Sequence, residues 1–295
     1  EYLIRNKMFT GSGPAQPYLD YALINIIANA PQDIKIDESI LLKNINTFFS
    51  SMIHLKVNYQ SFPRFIPIDK FSSLLSLNIN LSDFNLKEIV LEDVFSNKNI
   101  TDLVVEGAQG SLKWLKNFSN LKVLEFRTGY DKVEDEEYFE YLINLEELTI
   151  SSSKFKNLDF LAKCTKLKKL NLFVSYSSSS YSNDTKLENI DFLNKLEHLE
   201  ELKISGLNNY QFEDFNKSGL FSCKQLKKLS LSISASTDLE MLKNCTSLEQ
   251  LNLMGNSKFD VSGKISEIEG LKGLNNLKSI SLGDFNFFAL EHESL

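Results

Sequence analysis

Cysteine, histidine and long apolar runs are all scarce in this chain. Its 295 residues include three cysteines and three histidines, and neither set has the spacing of a disulfide framework or a zinc site. No segment reaches the roughly 18 consecutive apolar residues of a membrane-spanning helix. The most apolar early stretch, 18–30, is interrupted by Asp20 and Asn25. Excess positive charge is missing too. The net charge of −7 opposes a surface built to neutralise phosphates, so nucleic acid is not an expected partner. The signatures G-x-x-x-x-G-K-[ST], G-x-S-x-G, H-E-x-x-H and C-x-x-C are absent. His54, His198 and His292 have no Ser, Cys or paired carboxylate placed by motif to make any of them a base. Neither catalysis nor a cofactor or metal is expected.

What is present is a folded composition, 42% hydrophobic and 24% charged, which excludes disorder, collagen and a continuous coiled coil. The chain also repeats itself. Leu145-Glu-Glu-Leu148-Thr-Ile150 recurs as Leu167-Lys-Lys-Leu170-Asn-Leu172, Leu199-Glu-Glu-Leu202-Lys-Ile204, Leu226-Lys-Lys-Leu229-Ser-Leu231 and Leu248-Glu-Gln-Leu251-Asn-Leu253. Looser copies are Leu277/Ile280/Leu282, Leu121/Leu124/Phe126, Ile100/Leu103/Val105 and Leu74/Leu77/Ile79, and weaker ones Met52/Leu55/Val57 and Pro31/Ile34/Ile36. The series gives about eleven units at intervals of about 21 to 32 residues. Within each hexad the period is two: Leu148 and Ile150 share one face, Glu147, Thr149 and Ser151 the other.

Over 31–282 this pattern resembles the leucine-rich-repeat superfamily. The resemblance implies an α/β solenoid, a curved horseshoe with a parallel concave sheet and short helices or 3₁₀ turns on the convex side. Upstream apolar positions agree with it. Trp114-Leu115, Phe160-Leu161, Phe192-Leu193 and Met241-Leu242 precede the hexads at helix-like spacing, followed by an inward slot three residues before the first Leu. Phe49, Phe71, Phe118, Leu142, Cys164, Leu196, Cys223, Cys245 and Leu274 fill that slot, so all three cysteines read as small buried hydrophobes. The asparagine that commonly follows the strand in this family is found only as Asn256. Ala108, Gly129, Ser153, Ser175, Leu207 and Ser234 occupy the slot elsewhere, so backbone groups in those turns need hydroxyls, backbone or water as partners.

Residues 1–30 are expected to form an N-terminal flank or helical cap, and 31–295 the repeat domain, closed at its end by Phe285, Phe287, Phe288 and Leu290. The longer connections, 130–138, 175–186, 206–217 and 256–263, map to rim loops. The acidic run in the first, Asp131 to Glu137, lacks a calcium-loop register and reads as solvated.

The outward row His54, Ser76, Asp102, Val123, Glu147, Lys169, Glu201, Lys228, Gln250 and Ser279 alternates in sign at its centre, which predicts a self-neutralising cross-strand ladder. Against that background, Val104 and Val123 beside Asp102, Glu106 and Glu125 form a candidate patch for a basic and apolar partner. Phe173 and Met254 are candidate anchors, and Tyr176, in a serine-rich loop, is another. The function expected is a non-catalytic, monomeric protein-binding module that uses the concave sheet and rim loops. Alternatives are the sensing arm of a larger protein, of ubiquitin-ligase-adaptor or nucleotide-binding immune-receptor type, or a cell-surface adhesin. Because the chain starts at Glu1, an upstream domain or signal peptide stays open. The lack of disulfide spacing favours a reducing, cytoplasmic setting.

Overall fold

A computed structural model describes residues 53–57, 71–80, 97–152, 155, 157–173, 190–205, 224–233, 237–238, 242–255, 265–267 and 269–283. The hexads are strands: β1 (His54–Val57), β2 (Ser76–Asn80), β3 (Asp102–Ser111), β4 (Val123–Glu134), β5 (Glu147–Ser151), β6 (Lys169–Phe173), β7 (Glu201–Ser205) and β8 (Lys228–Ile233). After a short β9 (Thr237–Asp238) come β10 (Gln250–Gly255), β11 (Ile265–Glu267) and β12 (Ser279–Gly283). Ten of them form one sheet in the order β1-β2-β3-β4-β5-β6-β7-β8-β10-β12, and every pair in it is parallel. β9 and β11 make a separate parallel pair.

The register is the one that the repeats demand. Leu124, Leu148, Leu170, Leu202, Leu229 and Leu251 are consecutive Cα partners across the sheet. A one-residue slip would turn every such leucine into water. Alternation within the strands is equally regular: β2, β5 and β6 each bury their second and fourth residues and leave the first, third and fifth half-buried. Fully burying one such aliphatic side chain contributes about 1.5–3 kcal/mol.

Behind the sheet run short 3₁₀ helices, Lys113–Asn117, Glu136–Tyr141, Asp159–Lys163, Asp191–Lys195 and Glu269–Leu271. An α-helix is about 10 Å across and parallel strands are about 4.8 Å apart, so slim elements stack rung on rung where α-helices would force the back of the solenoid to splay. The first four helices press aromatics into the core. Phe126, Phe139, Phe155 and Phe160 interlock with centroid separations of 4.9 to 6.2 Å, mostly in the edge-to-face or offset arrangements that the ring quadrupole favours.

The inward slot is filled as expected wherever it is described: Phe71, Phe118, Leu142, Cys164, Leu196, Cys245 and Leu274 are buried. Burial pushes the Cys164 thiol up to about 12, with the Glu140 charge adding to the shift. One slot departs from the series. Asn97 is buried; its amide donates to the Phe71 carbonyl at 2.8 Å and its Oδ1 accepts from the Asn99 backbone N–H at 2.9 Å. A polar side chain fits because both bonds exist at that position.

The acidic connection, expected as a solvated loop, is more ordered than that. β3 and β4 run past the other strands after a register shift, pairing Ala108 with Thr128, Gly110 with Val133 and Ser111 with Glu134. Gly107 and Gly110, at φ 74° and 70°, carry the backbone through this irregularity in a region that glycine enters without steric cost. Asp135 turns the chain in the left-handed region (φ 62°) and accepts a 2.6 Å hydrogen bond from Ser111 Oγ. The 3₁₀ helix Glu136–Tyr141 follows directly.

No helix among the described residues is long and apolar enough to cross a membrane. Residues 1–30, the loops around Tyr176, 206–217 and 256–263, Cys223, and Phe285 to Leu290 lie outside the described residues.

Candidate binding faces of the sheet

Alternation leaves each five-residue strand with three outward positions, so the open face carries three rows. The first row runs as expected from His54 to Ser279 in consecutive register. Its ladder forms as pairs: Lys169 Nζ lies 2.8 Å from Glu147 Oε1, and Lys228 Nζ 2.7 Å from Glu201 Oε1.

A second ladder, which the sequence reading passed over, lies one residue earlier on the N-terminal rim of the sheet. Lys168 pairs with Glu146 at 2.7 Å, Lys227 with Glu200 at 2.8 Å and Lys278 with Glu249 at 2.8 Å. In each case a lysine reaches back to the glutamate of the preceding rung. Glu146, Glu200 and Glu249 are held below the ordinary carboxylate range by the hydrogen bond from that lysine and then by its charge. Lys168 and Lys227 are raised for the reciprocal reason. The doubled residues of Leu-Glu-Glu-Leu and Leu-Lys-Lys-Leu were the available signal.

Asparagines also form a ladder, before the strand and not after it. Asn99 Nδ2 donates to the Ser72 carbonyl at 3.0 Å, Asn120 to Lys98 at 3.1 Å, Asn144 to Ser119 at 2.9 Å and Asn276 to Thr246 at 2.9 Å. Each tethers a turn to the turn one rung earlier, satisfying a carbonyl that the tight turn leaves open. Each is the residue just before the first apolar position of its hexad, a periodicity that a search beyond the strand does not see. On the far side the Thr128 hydroxyl donates to Ser152 Oγ at 3.2 Å, a bond between side chains.

The candidate patch of valines and acids is brought together on β3 and β4. Asp102 is the Cα partner of Val123, and Val104 of Glu125, so acids and valines form a checkerboard, all half-buried. The acids are engaged. Arg127 bridges Glu106 and Glu125, Asn80 donates to Glu106 at 3.1 Å, and the Thr101 hydroxyl donates to Asp102 at 2.6 Å.

Phe173 and Met254 stand apart from that patch, on the third row of β6 and β10. Phe173 is half-buried, with Lys203 Nζ 5.2 Å from its ring centroid, a cation–π distance. Met254 is 44% exposed although the flanking strands are paired, because the Cα partners beside it are the small residues Ser232 and Gly283. Tyr176 lies outside the described residues. His54 and His198 are exposed, and among the described residues no three His, Cys, Asp or Glu side chains are grouped to hold a metal ion.

No protein-family model matches the sequence. Solved structures do. A leucine-rich-repeat protein of Leptospira interrogans, LIC12759, is 15% identical, with a TM-score of 0.54 over 84% of this chain and 58% of that one. Internalin C2 of Listeria monocytogenes is 16% identical, with a TM-score of 0.45 over 80% of this chain and 83% of that one. This chain therefore spans little more than half of the Leptospira protein, with which it shares a fold. Repeating hexads, parallel in-register strands and inward leucines together make the chain a leucine-rich-repeat solenoid.

Proposed function

We propose that the chain is a non-catalytic protein-binding module whose partner lies across the open face of the sheet and is anchored by Phe173 and Met254. The supporting observation is their shared position on the third row, three strand spacings or about 14 Å apart. The intervening positions are Ser205 and Ser232. Two apolar side chains flanking small residues offer a shallow seat for a partner side chain. The self-paired charges around them contribute more to orientation than to affinity. A few such anchors set affinity more than total contact area does.

The test is capture of partners by the immobilised chain, quantified by mass spectrometry, with wild type, Phe173→Ala, Met254→Ala and the control Lys163→Ala on the helical side. The expected outcome is that the two face variants each lose about tenfold or more of a specific partner, while their melting curves match wild type. Partner recovery equal in all four proteins would remove these anchors.

A further inference from the structure

The charge ladder of the N-terminal rim ends at β4, where Lys122 follows the uncharged Ile53, Leu75 and Thr101 of the earlier rungs, and its end coincides with an open groove of about 510 Å³. From β6 onward Lys168, Lys227 and Lys278 each reach back to a glutamate on the preceding rung. The residue behind Lys122 is Thr101, whose backbone carbonyl bonds Lys122 N, and the glutamate ahead, Glu146, is held by Lys168. Lys122 therefore has no carboxylate within 4 Å among the described residues. Nearby, Lys166 Nζ is 2.6 Å from the neutral Asn144 Oδ1; the charges of Lys122 and Lys166 act on Glu146, but neither lysine is bonded to it, because Lys168 is.

Both lysines line the groove, together with Asn99, Asn120, Asn144, Leu75 and Glu146, whose carboxylate is already bonded to Lys168. Each of these asparagines spends one amide hydrogen on a turn carbonyl and keeps a second to offer. Neutral donors and two lysines, facing the one already-bonded carboxylate of Glu146, thus leave this strip locally positive on a protein whose net charge is −7. At the other end the strip turns apolar: Leu75 is 43% exposed, and Ile53, beside it on the same rim, 47%. The volume suits a ligand cleft, but the groove is open along the rungs, which favours a chain over an enclosed small molecule.

From this geometry we infer that the N-terminal rim is a second docking surface, separate from the open face, for an extended acidic segment of a protein partner. Its carboxylates meet Lys122 and Lys166, its backbone meets the asparagine amides, and an apolar residue covers Leu75 and Ile53. Charge complementarity selects this occupant: a basic segment would meet the same lysines and be repelled.

The probe is a fluorescein-labelled peptide, Leu-Leu-Gly-Ser-Glu-Ser-Glu-Glu, titrated against the full chain by fluorescence anisotropy beside the same peptide with Gln for every Glu. The inference expects saturable binding of the Glu peptide that weakens in high salt. Affinity should fall about tenfold or more for the Gln peptide and for the double variant Lys122→Gln/Lys166→Gln, and stay unchanged in Phe173→Ala/Met254→Ala. It is overturned by equal binding of the two peptides, by a folded double variant that binds as wild type, by no saturation up to about 1 mM, or by loss of binding in the open-face variant. If the double variant does not fold, the comparison of the two peptides on wild type decides alone.

Discussion

β10 and β12 carry the same inward pattern and are hydrogen-bonded neighbours, yet they bury it very differently. Leu251 and Leu253 of β10 are 1% and 0% exposed, whereas their Cα partners on β12, Ile280 and Leu282, are 45% and 37% exposed. Strand, register and side-chain type are shared. What differs is the rung on the far side: β10 has β8 and β12 around it, while among the described residues β12 has only β10 beside it in the sheet. A repeat of this kind supplies half of a core, and its neighbour supplies the rest.

The largest effect expected from this contrast lies in the aromatic centre. Phe139 touches Phe126, Phe155 and Phe160 from the helical side, and Phe139→Ala should cost about 3–5 kcal/mol in urea unfolding. The neighbouring rungs sharpen the comparison: Leu251→Ala should cost about 2–5 kcal/mol and Ile280→Ala less than about 1 kcal/mol, although the two residues are Cα partners. Equal costs would mean that burial is not supplied rung by rung.

A smaller loss, about 1–3 kcal/mol, is expected for Asn97→Ala, which strips the bonds to the Phe71 carbonyl and the Asn99 N–H from a buried position. Cys164 gives a kinetic readout. With its thiol pushed up to about 12, it should resist a maleimide at neutral pH in the native state and react on unfolding, as peptide mapping would show. Native labelling comparable to a free thiol would mean that its slot opens.

The smallest effect concerns the rim ladder. Glu146, Glu200 and Glu249 have folded pKa values below the ordinary 4.5. The stability they contribute is present above that value and fades as pH falls through the lowered ones. Replacing Lys168, Lys227 and Lys278 with Gln should flatten the acid limb of the stability curve, with little change in the fold. An unaltered acid limb would show that these exposed pairs contribute nothing measurable.

The fold was largely legible because the Leu-x-x-Leu-x-Leu register fixes strand, inward face and spacing together. The cysteines were legible for the same reason, since Cys164 and Cys245 stand where other rungs place Phe or Leu. Features set by neighbours in space were harder to read. The buried Asn97 breaks the apolar slot and is accommodated by a carbonyl one rung away. The tethers from Asn99, Asn120, Asn144 and Asn276 sit on the side of the strand where the family pattern does not direct attention. The candidate acids Glu106 and Glu125 read in sequence as a cluster for a basic and apolar partner, and Arg127 bridges them in space. The β3–β4 extension depends on glycines at positive φ, which a pattern of apolar residues does not register.

The most direct test sets two adjacent residues of β7 against each other. Leu202 is 2% exposed and Lys203 points to the open face, so Leu202→Ala should cost about 2–5 kcal/mol in equilibrium unfolding and Lys203→Ala less than about 0.5 kcal/mol. Similar losses from the two variants would contradict a solenoid in which position along the hexad alone decides what is core.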